Sequence, residues 1–436
     1  MRTTQQSAPD DTRQDPDADP RRARVLECAF SLFSTLGYGQ TGMSQIATDS
    51  HVSTAWIYRE FGGKRELFDA VFDDKVGDFI AAINPGSEIS EKAASKSEFV
   101  GLLPELATRT MSVLETDPRL FTGLLTNAAS TDTEMRYRIL GLEALHARQV
   151  AAAFDRALDH NWLPGDDLTS TVLGHAVLAL GLPGAVMLID GDMSQRDYLL
   201  DAGIELNRNG LLGTFSDDDV TAVMQALEDF RPPPPLIGGS DRRSQLMDAA
   251  LSCYLEYGYF TVTPTIIAQA AGVAYGTFYT YFENRRVCLW EVVDRETSRI
   301  LAATSLHRPI PVCRLELIAR LTELVETARR FTEDNPDLAS FLVLGVVGID
   351  RTAAERMAEL FLRICGLAGD YLRRCAAAGL LREGIDPDAA AQTLVAVVFA
   401  AIAAQIDIAA AAEPAQIVLP LVAMLCGGAE GVDITA

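Results

Sequence analysis

Leu26, Ala29, Phe30 and Phe33 stand at i, i+3, i+4 and i+7, the spacing of one apolar helical face, and Gly37 closes that stretch. Asp19 followed by Pro20 supplies a cap and a proline at the first helical position. Two shorter helices are predicted next. One carries Gln45, Ile46 and Ala47; the other opens on Ser53 as N-cap and places Ile57 and Phe61 one turn apart on its inner face. The same pattern returns without a gap 221 residues later: Leu26, Ala29, Phe33, Gly37, Tyr38, Ile46, Ala47, Val52, Tyr58, Phe61 and Arg65 meet Met247, Ala250, Tyr254, Gly258, Tyr259, Ile267, Ala268, Val273, Tyr279, Phe282 and Arg286. A repeat of that period marks a duplicated domain, not a solenoid.

Behind each short-helix unit lies a long Ala/Leu-rich stretch broken by Pro and Gly, with strand signals scarce throughout. Asp117-Pro118 and Asn335-Pro336 open similar segments at nearly the same distance from their units, so the duplication extends over a two-part module. The expected class is all-α. The expected divisions are a disordered acidic tail at 1–19, a first short-helix unit at 20–65, its helical body at 66–215, a helix plus linker at 216–240, a second unit at 241–286 and a second body at 287–436. Within 216–240, Ser216 followed by three aspartates starts a helix whose first-turn carboxylates suit the helix dipole. Pro232 to Pro235 and Gly238-Gly239 then form the linker, extended enough that ten residues cross about 30 Å.

Composition narrows the class further. The 436 residues are 48% apolar, ample for two to four cores. Residues 1–19 are polar and acidic, unlike an apolar leader, and the seven cysteines form no CxxC or Cys/His spacing, which fits reduced thiols in the cytoplasm. The stretch 389–406 is about long enough to span a bilayer, but it carries Gln392, Thr393 and Gln405 and is mostly alanine. It reads as a buried core helix, and 172–189 and 394–406 read as bundle helices of a dimer type. His146, His160, His175 and His307 lack metal spacing and read as structural; no metal or cofactor is expected.

A helix, a tight turn at His51-Val52 and a second capped helix make the helix-turn-helix layout, whose second helix enters the major groove with its first residues toward base edges. Tyrosine suits phosphate contact, because its ring packs on the protein while its hydroxyl points outward. Lys64 adds charge where a helix N-terminus already favours anions. Duller readings exist for the aromatic residues: Trp56, Tyr275, Tyr58 and Tyr279 would then be packed side chains.

The stretches ECAFSLFSTLGYGQTGMSQIATDSHVSTAWIYREFGGKRELFDAVF and MDAALSCYLEYGYFTVTPTIIAQAAGVAYGTFYTYFENRRVCLWEVV resemble the N-terminal DNA-binding domain of TetR-type transcriptional regulators, and together they cover about a quarter of the chain. The whole chain resembles the single-chain form with two such modules in tandem. That resemblance implies DNA contacts at Ser44, Thr54, Ala55, Trp56, Tyr58, Arg59 and Lys64, and in the second copy at Thr265, Tyr275, Gly276, Thr277, Tyr279, Thr280 and Arg285. It also implies pairing through the last two long helices of each body, here within one chain, and a small-molecule effector in a body. A largely apolar body suits a hydrophobic effector.

Two departures from the family pattern matter. His51 replaces the glycine of the turn, where a left-handed backbone is easiest for Gly. Gly62-Gly63 also loosens the entry to the next helix relative to Glu283-Asn284. Charge separates the copies as well: residues 20–65 hold six basic and three acidic side chains, a net +3, whereas 241–286 hold four of each. Affinity for DNA draws on phosphate neutralisation, so in a chain of net charge −23 the acidic excess is expected on the tail and bodies.

The leading expectation is a ligand-responsive, sequence-specific DNA-binding regulator, a repressor, whose two unlike units on one chain read an imperfect palindrome in double-stranded DNA. The alternatives are a regulator with only the first unit competent, or a small-molecule sensor with relic units. The chain forms an intramolecular pseudo-dimer in this reading, with further homo-dimerisation open and no membrane partner. An enzyme is not expected, since no nucleophile elbow, phosphate loop or paired carboxylates occur at useful spacing.

Overall fold

Asp19 accepts the Arg21 amide at 2.9 Å and Pro20 fills the first turn of α1 (Pro20–Leu36), which ends at Gly37 with φ +83°. The computed structural model describes residues 19–83, 93–103, 105, 117, 119–120, 124, 126–190, 194–232, 239–408 and 412–432. The acidic tail up to residue 18, Pro118 and the linker residues 233–238 lie outside the described residues.

After α1 come α2 (Met43–Asp49), α3 (Thr54–Phe61) and α4 (Lys64–Ile83). The first body holds α5 (Thr126–Thr131), α6 (Thr133–Asp159), α7 (Asp167–Ala179), α8 (Leu182–Asp190) and α9 (Arg196–Asn209). Helix α10 (Asp217–Asp229) follows, opened by Ser216 in a capping box with Asp219. The second copy runs through α11 (Arg242–Tyr257), α12 (Pro264–Ala270), α13 (Tyr275–Tyr281) and α14 (Arg285–Ala303). Its body contains α15 (Arg314–Asp334), α16 (Pro336–Ser340), a π turn at Phe341–Gly345, α17 (Arg351–Ala377), α18 (Pro387–Ile408) and α19 (Pro414–Gly431). The class is all-α. Among the described residues, β pairing is confined to one isolated bridge between Phe215 and Val432.

Each short-helix unit has its own core. Phe30, Phe33, Ile46, Ile57 and Phe68 close the first; Leu246, Tyr254, Ile267, Phe278 and Phe282 close the second. The largest cluster belongs to neither body alone: Val172, Leu206 and Phe215 from the first pack with Leu321, Leu394 and Leu421 from the second. Helix α18 meets α7, and α19 meets α9. Alanines at 390, 396, 400, 401 and 404 are fully buried there, and their small side chains let the helix axes approach closely.

The stretch 172–189 divides into α7 and α8, because Pro183 cannot continue the ladder of α7 and instead occupies the first turn of α8. Three segments, Leu168–Met187, Pro387–Ile408 and Pro414–Gly431, are long and apolar enough to cross a membrane. In Pro387–Ile408 two thirds of that apolar window is buried against other helices, so 389–406 is a core helix.

Between α9 and α10 the chain threads along α19 like a short strand. The Leu211 and Leu212 amides donate to the carbonyls of Leu425 and Cys426 at 2.8 and 2.7 Å, and the Phe215 amide donates to the Gly431 carbonyl at 2.8 Å. Glycines make this possible. A Cβ on Gly210 would sit 2.3 Å from the Cys426 carbonyl oxygen, and one on Gly428, at φ +65°, would sit 2.4 Å from that of Arg208. From the other side Arg382 holds the Gly210 carbonyl at 2.7 Å, and Arg314 grips Asp219 at 2.8 Å.

Candidate nucleic-acid interface

The second helices of the two helix-turn-helix units, α3 and α13, are seated by one buried residue each, Ile57 and Phe278, so their opposite faces turn outward. Ser53 Oγ accepts the Trp56 amide at 3.3 Å to start α3. The preceding turn is left-handed in both copies: φ is +55° at His51 and +66° at Gly272. A side chain thus occupies a backbone conformation that suits glycine, at a cost of about 1 kcal/mol.

Ser44 and Thr265 lie exposed in the first turns of α2 and α12. On α3, Ala55, Tyr58 and Arg59 are exposed, Tyr58 by half; Thr54 is half-buried. Trp56 is half-buried too, its ring edge-on to Phe61 at 6.4 Å. On α13, Tyr275, Gly276, Tyr279 and Thr280 are exposed and Thr277 is half-buried. Tyr275 and Tyr279 form a pair of their own, edge to face at 5.1 Å with the Tyr275 hydroxyl donating to that of Tyr279 at 3.0 Å. The four tyrosine and tryptophan positions therefore differ: Tyr58, Tyr275 and Tyr279 face solvent, while Trp56 belongs partly to the core.

The two cations expected at phosphates are turned toward the protein. The Lys64 ammonium lies 4.5 Å above the Tyr38 ring, and burial pushes its pKa down. The Arg285 guanidinium lies 4.5 Å above Tyr259 and donates to the carbonyls of Tyr259, Phe260 and Val262, the last at 2.6 Å. Both therefore brace the turn after α1 or α11. Elsewhere the first unit leaves Arg24 and Arg59 exposed with no ion pair among the described residues. In the second, Arg243 is bound to Glu291 and Arg286 to Asp350, while Arg242 bonds Gln245 and has no ion pair among the described residues.

The units touch their bodies by a repeated device. Arg65 reaches Asp132, the N-cap of α6, at 2.9 Å; Arg286 reaches Asp350, the N-cap of α17, at 2.5 Å. They also touch the opposite module. A Cβ on Gly258 would meet the Thr131 carbonyl oxygen at 2.4 Å, and one on Gly37 lies 3.9 Å from that of Ile349, while Tyr38 packs on Phe260 with centroids 6.0 Å apart. None of Asp132, Asp350 or these glycine contacts was singled out from sequence. Their signal was present in the repeat, because 218 added to Thr131 and Asp132 gives Ile349 and Asp350.

An apolar cleft lies in the first body. Phe154 of α6, Val177 of α7 and Leu199 and Ile204 of α9 line it, with Asn207 and Arg208 at one end and Met424 supplied by α19 of the second module. Its volume is about 50 Å³, well below the few hundred Å³ of a filled ligand site. These residues carry no motif, which is why sequence could not name them.

The family described as bacterial regulatory proteins, tetR family, matches twice, at residues 25–71 and 246–292. The HTH-type transcriptional repressor Rv1474c of Mycobacterium tuberculosis is 30% identical over 152 residues, covering 34% of this chain and 73% of that one. The fatty acid metabolism regulator protein of Bacillus subtilis is 26% identical over 120 residues, 28% of this chain and 59% of its own. Among solved structures, the fatty acid degradation regulator FadR from Bacillus halodurans aligns with a TM-score of 0.38 and 22% identity, covering 44% of this chain and 98% of that one. With the family's N-terminal domain present twice and a repressor relative matched over most of its length, the chain belongs to the TetR family of transcriptional regulators.

Proposed function

We propose that this chain is a ligand-responsive repressor acting in the cytoplasm, whose units at 20–65 and 241–286 are held as a pseudo-dimer by the bodies at 66–215 and 287–436. The observation that carries this reading is the paired seating of the units. Arg65 on Asp132 is matched by Arg286 on Asp350, and each unit's glycine turn meets the other module. A two-fold seating of two reading helices suits the two-fold character of an operator. The outward residues of α3 and α13 differ, so the half-sites differ: Thr54, Ala55, Trp56, Tyr58 and Arg59, with Ser44, face one, and Tyr275, Gly276, Thr277, Tyr279 and Thr280, with Thr265, face the other. Lys64 and Arg285 contribute to DNA binding by bracing the turns that carry Tyr38 and Tyr259.

The effector in this proposal is a hydrophobic or amphipathic small molecule that widens the cleft around Phe154, Val177 and Ile204. Its apolar lining supports that class, and a relative named for fatty acid metabolism points the same way. Selection from random duplexes at fixed salt, followed by footprinting, tests the arrangement. One chain protecting two unlike half-sites is expected; a perfect palindrome with one chain on each half would overturn it.

A second reading, in which only the first unit grips DNA, is favoured by one observation. Among the described cations of 241–286, only Arg242 lacks a carboxylate or backbone-carbonyl partner. Scrambling each half-site separately decides between the readings.

A further inference from the structure

Arg136, in the first full turn of α6, is 0% exposed. Its Nε donates to Ser340 Oγ at 3.1 Å, its Nη2 to Thr133 Oγ1 at 3.3 Å and to the Leu255 carbonyl at 3.4 Å, and the guanidinium lies 5.6 Å from the Phe341 ring centre. Its Nη1 has no hydrogen-bond partner, and no carboxylate pairs with it among the described residues. A buried guanidinium without a counter-ion is expensive, and packing alone would be served as well by an apolar side chain. The neighbouring Thr133 hydroxyl donates to the same Leu255 carbonyl at 2.5 Å.

Leu255 stands two residues before the end of α11 at Tyr257, just ahead of the loop that leads into the second helix-turn-helix. Two donors from the first module thus hold an end carbonyl of a helix in the second module's reading unit. The arrangement has no twin: adding 218 to Arg136, as carries Asp132 to Asp350, gives Ala354. The acceptor's counterpart, 221 residues earlier, is Ser34, whose buried hydroxyl has no partner.

We infer that Arg136 is a positioning residue for the second reading unit: the first module, through Arg136 and Thr133, fixes the angle at which α11 presents α12 and α13. This rests on the two-unit reading above. Helix α6 is one uninterrupted rod of 27 residues, about 40 Å long, with Arg136 near one end and Phe154, which lines the apolar cleft, toward the other. A shift of α6 at the cleft therefore reaches the second unit through Arg136 and Thr133, whereas the first unit meets the same helix through the Arg65–Asp132 pair and the apolar side chains of Met135, Ile139 and Leu142.

Amide hydrogen exchange on the full chain tests this without DNA. In Arg136→Met, exchange at residues 255–262 is expected to quicken at least tenfold while residues 34–41 stay within twofold and the thermal midpoint holds or rises. Thr133→Val, which keeps the guanidinium, should give the same pattern more weakly. Unchanged exchange at 255–262 in both variants overturns the inference, and so does acceleration in both units with a lowered midpoint, the mark of a merely structural residue. On DNA, Arg136→Met should lose about tenfold in affinity only on duplexes whose second half-site is intact. A wild-type chain that binds no duplex would sink the regulatory reading yet leave the exchange result to stand or fall alone.

Discussion

Arg286 and Asp350 join the second helix-turn-helix unit to its body by two parallel hydrogen bonds of 2.5 and 2.8 Å, while the same carboxylate caps α17 through the Ala353 amide at 2.9 Å. Burial works against ionisation of Asp350, but Arg286 and the Ala353 amide outweigh it and hold its carboxyl below the ordinary range. Its contribution is therefore present above the unfolded pKa and lost as pH falls through the folded one. Asparagine is an equally good N-cap, so Asp350→Asn isolates the ion pair. With Arg286 partly exposed, a loss of about 1 kcal/mol is expected. Denaturant midpoints at pH 7 and over a descending acid series check this: the difference between wild type and variant should shrink as the pH falls.

Charge on the first unit predicts a salt signature. Arg59 is exposed on α3 with no ion pair among the described residues, so Arg59→Ala should reduce the magnitude of the slope of log K against log salt by about 1, with stability unchanged. Arg285→Ala should behave differently. Three carbonyls lose their donor there, so about 2 kcal/mol of stability should go while the salt slope barely moves. Gel shifts across a salt series, paired with thermal melts, separate the two, and equal slopes for wild type and Arg59→Ala would remove Arg59 from the phosphate contacts.

Much of this architecture was legible in the chain because local physics and tertiary packing agree. Caps such as Asp19 and Ser53 predicted helix starts, and the left-handed turn at His51 followed from the glycine that its twin, Gly272, retains. Side-chain direction was less legible. Lys64 and Arg285 stand where sequence spacing puts a phosphate contact, but a long cation bends back when an aromatic ring or open carbonyls lie within reach, and Tyr38 and Tyr259 are near only after folding. Trp56 likewise leans on Phe61. The split of 172–189 at Pro183 was readable from proline alone, whereas the cleft of the first body needed helices far apart in sequence to meet.

His175 predicts how the pairing of the bodies responds to alkali. It sits fully buried on α7, bonded to Glu143 of α6 at 2.9 Å and to Asp407 of α18 at 3.2 Å, and Arg148 adds a bond to Asp407 at 3.1 Å. Burial alone would lower its pKa, but the hydrogen bonds to Asp407 and Glu143 prevail and push it up to about 9. A folded-state pKa above the unfolded one stabilises fully below about pH 6.5, and that stability is lost as pH rises through the folded value. Of order 3 kcal/mol is at stake. The thermal midpoint should fall between pH 6 and pH 9.5, and His175→Asn should flatten that fall; identical profiles would show that the imidazolium does not tie α7 to α18.

Gly210 predicts the strength of the strap between the modules. Its φ of +61° is left-handed, the Cys426 carbonyl oxygen lies 2.3 Å from where a Cβ would go, and Arg382 donates to its own carbonyl at 2.7 Å. The facing chain is backbone and cannot yield as a flexible side chain would. Gly210→Ala therefore strains the turn and pushes residues 211 and 212 off their bonds to Leu425 and Cys426, for a loss of about 3 kcal/mol. Gly203, on the same helix, has open space at its Cβ, so Gly203→Ala serves as control, and helix propensity there should raise stability by about 0.5 to 1 kcal/mol. If the two substitutions shifted the unfolding midpoint alike, the close approach of 210–215 to α19 would not be what binds one module to the other.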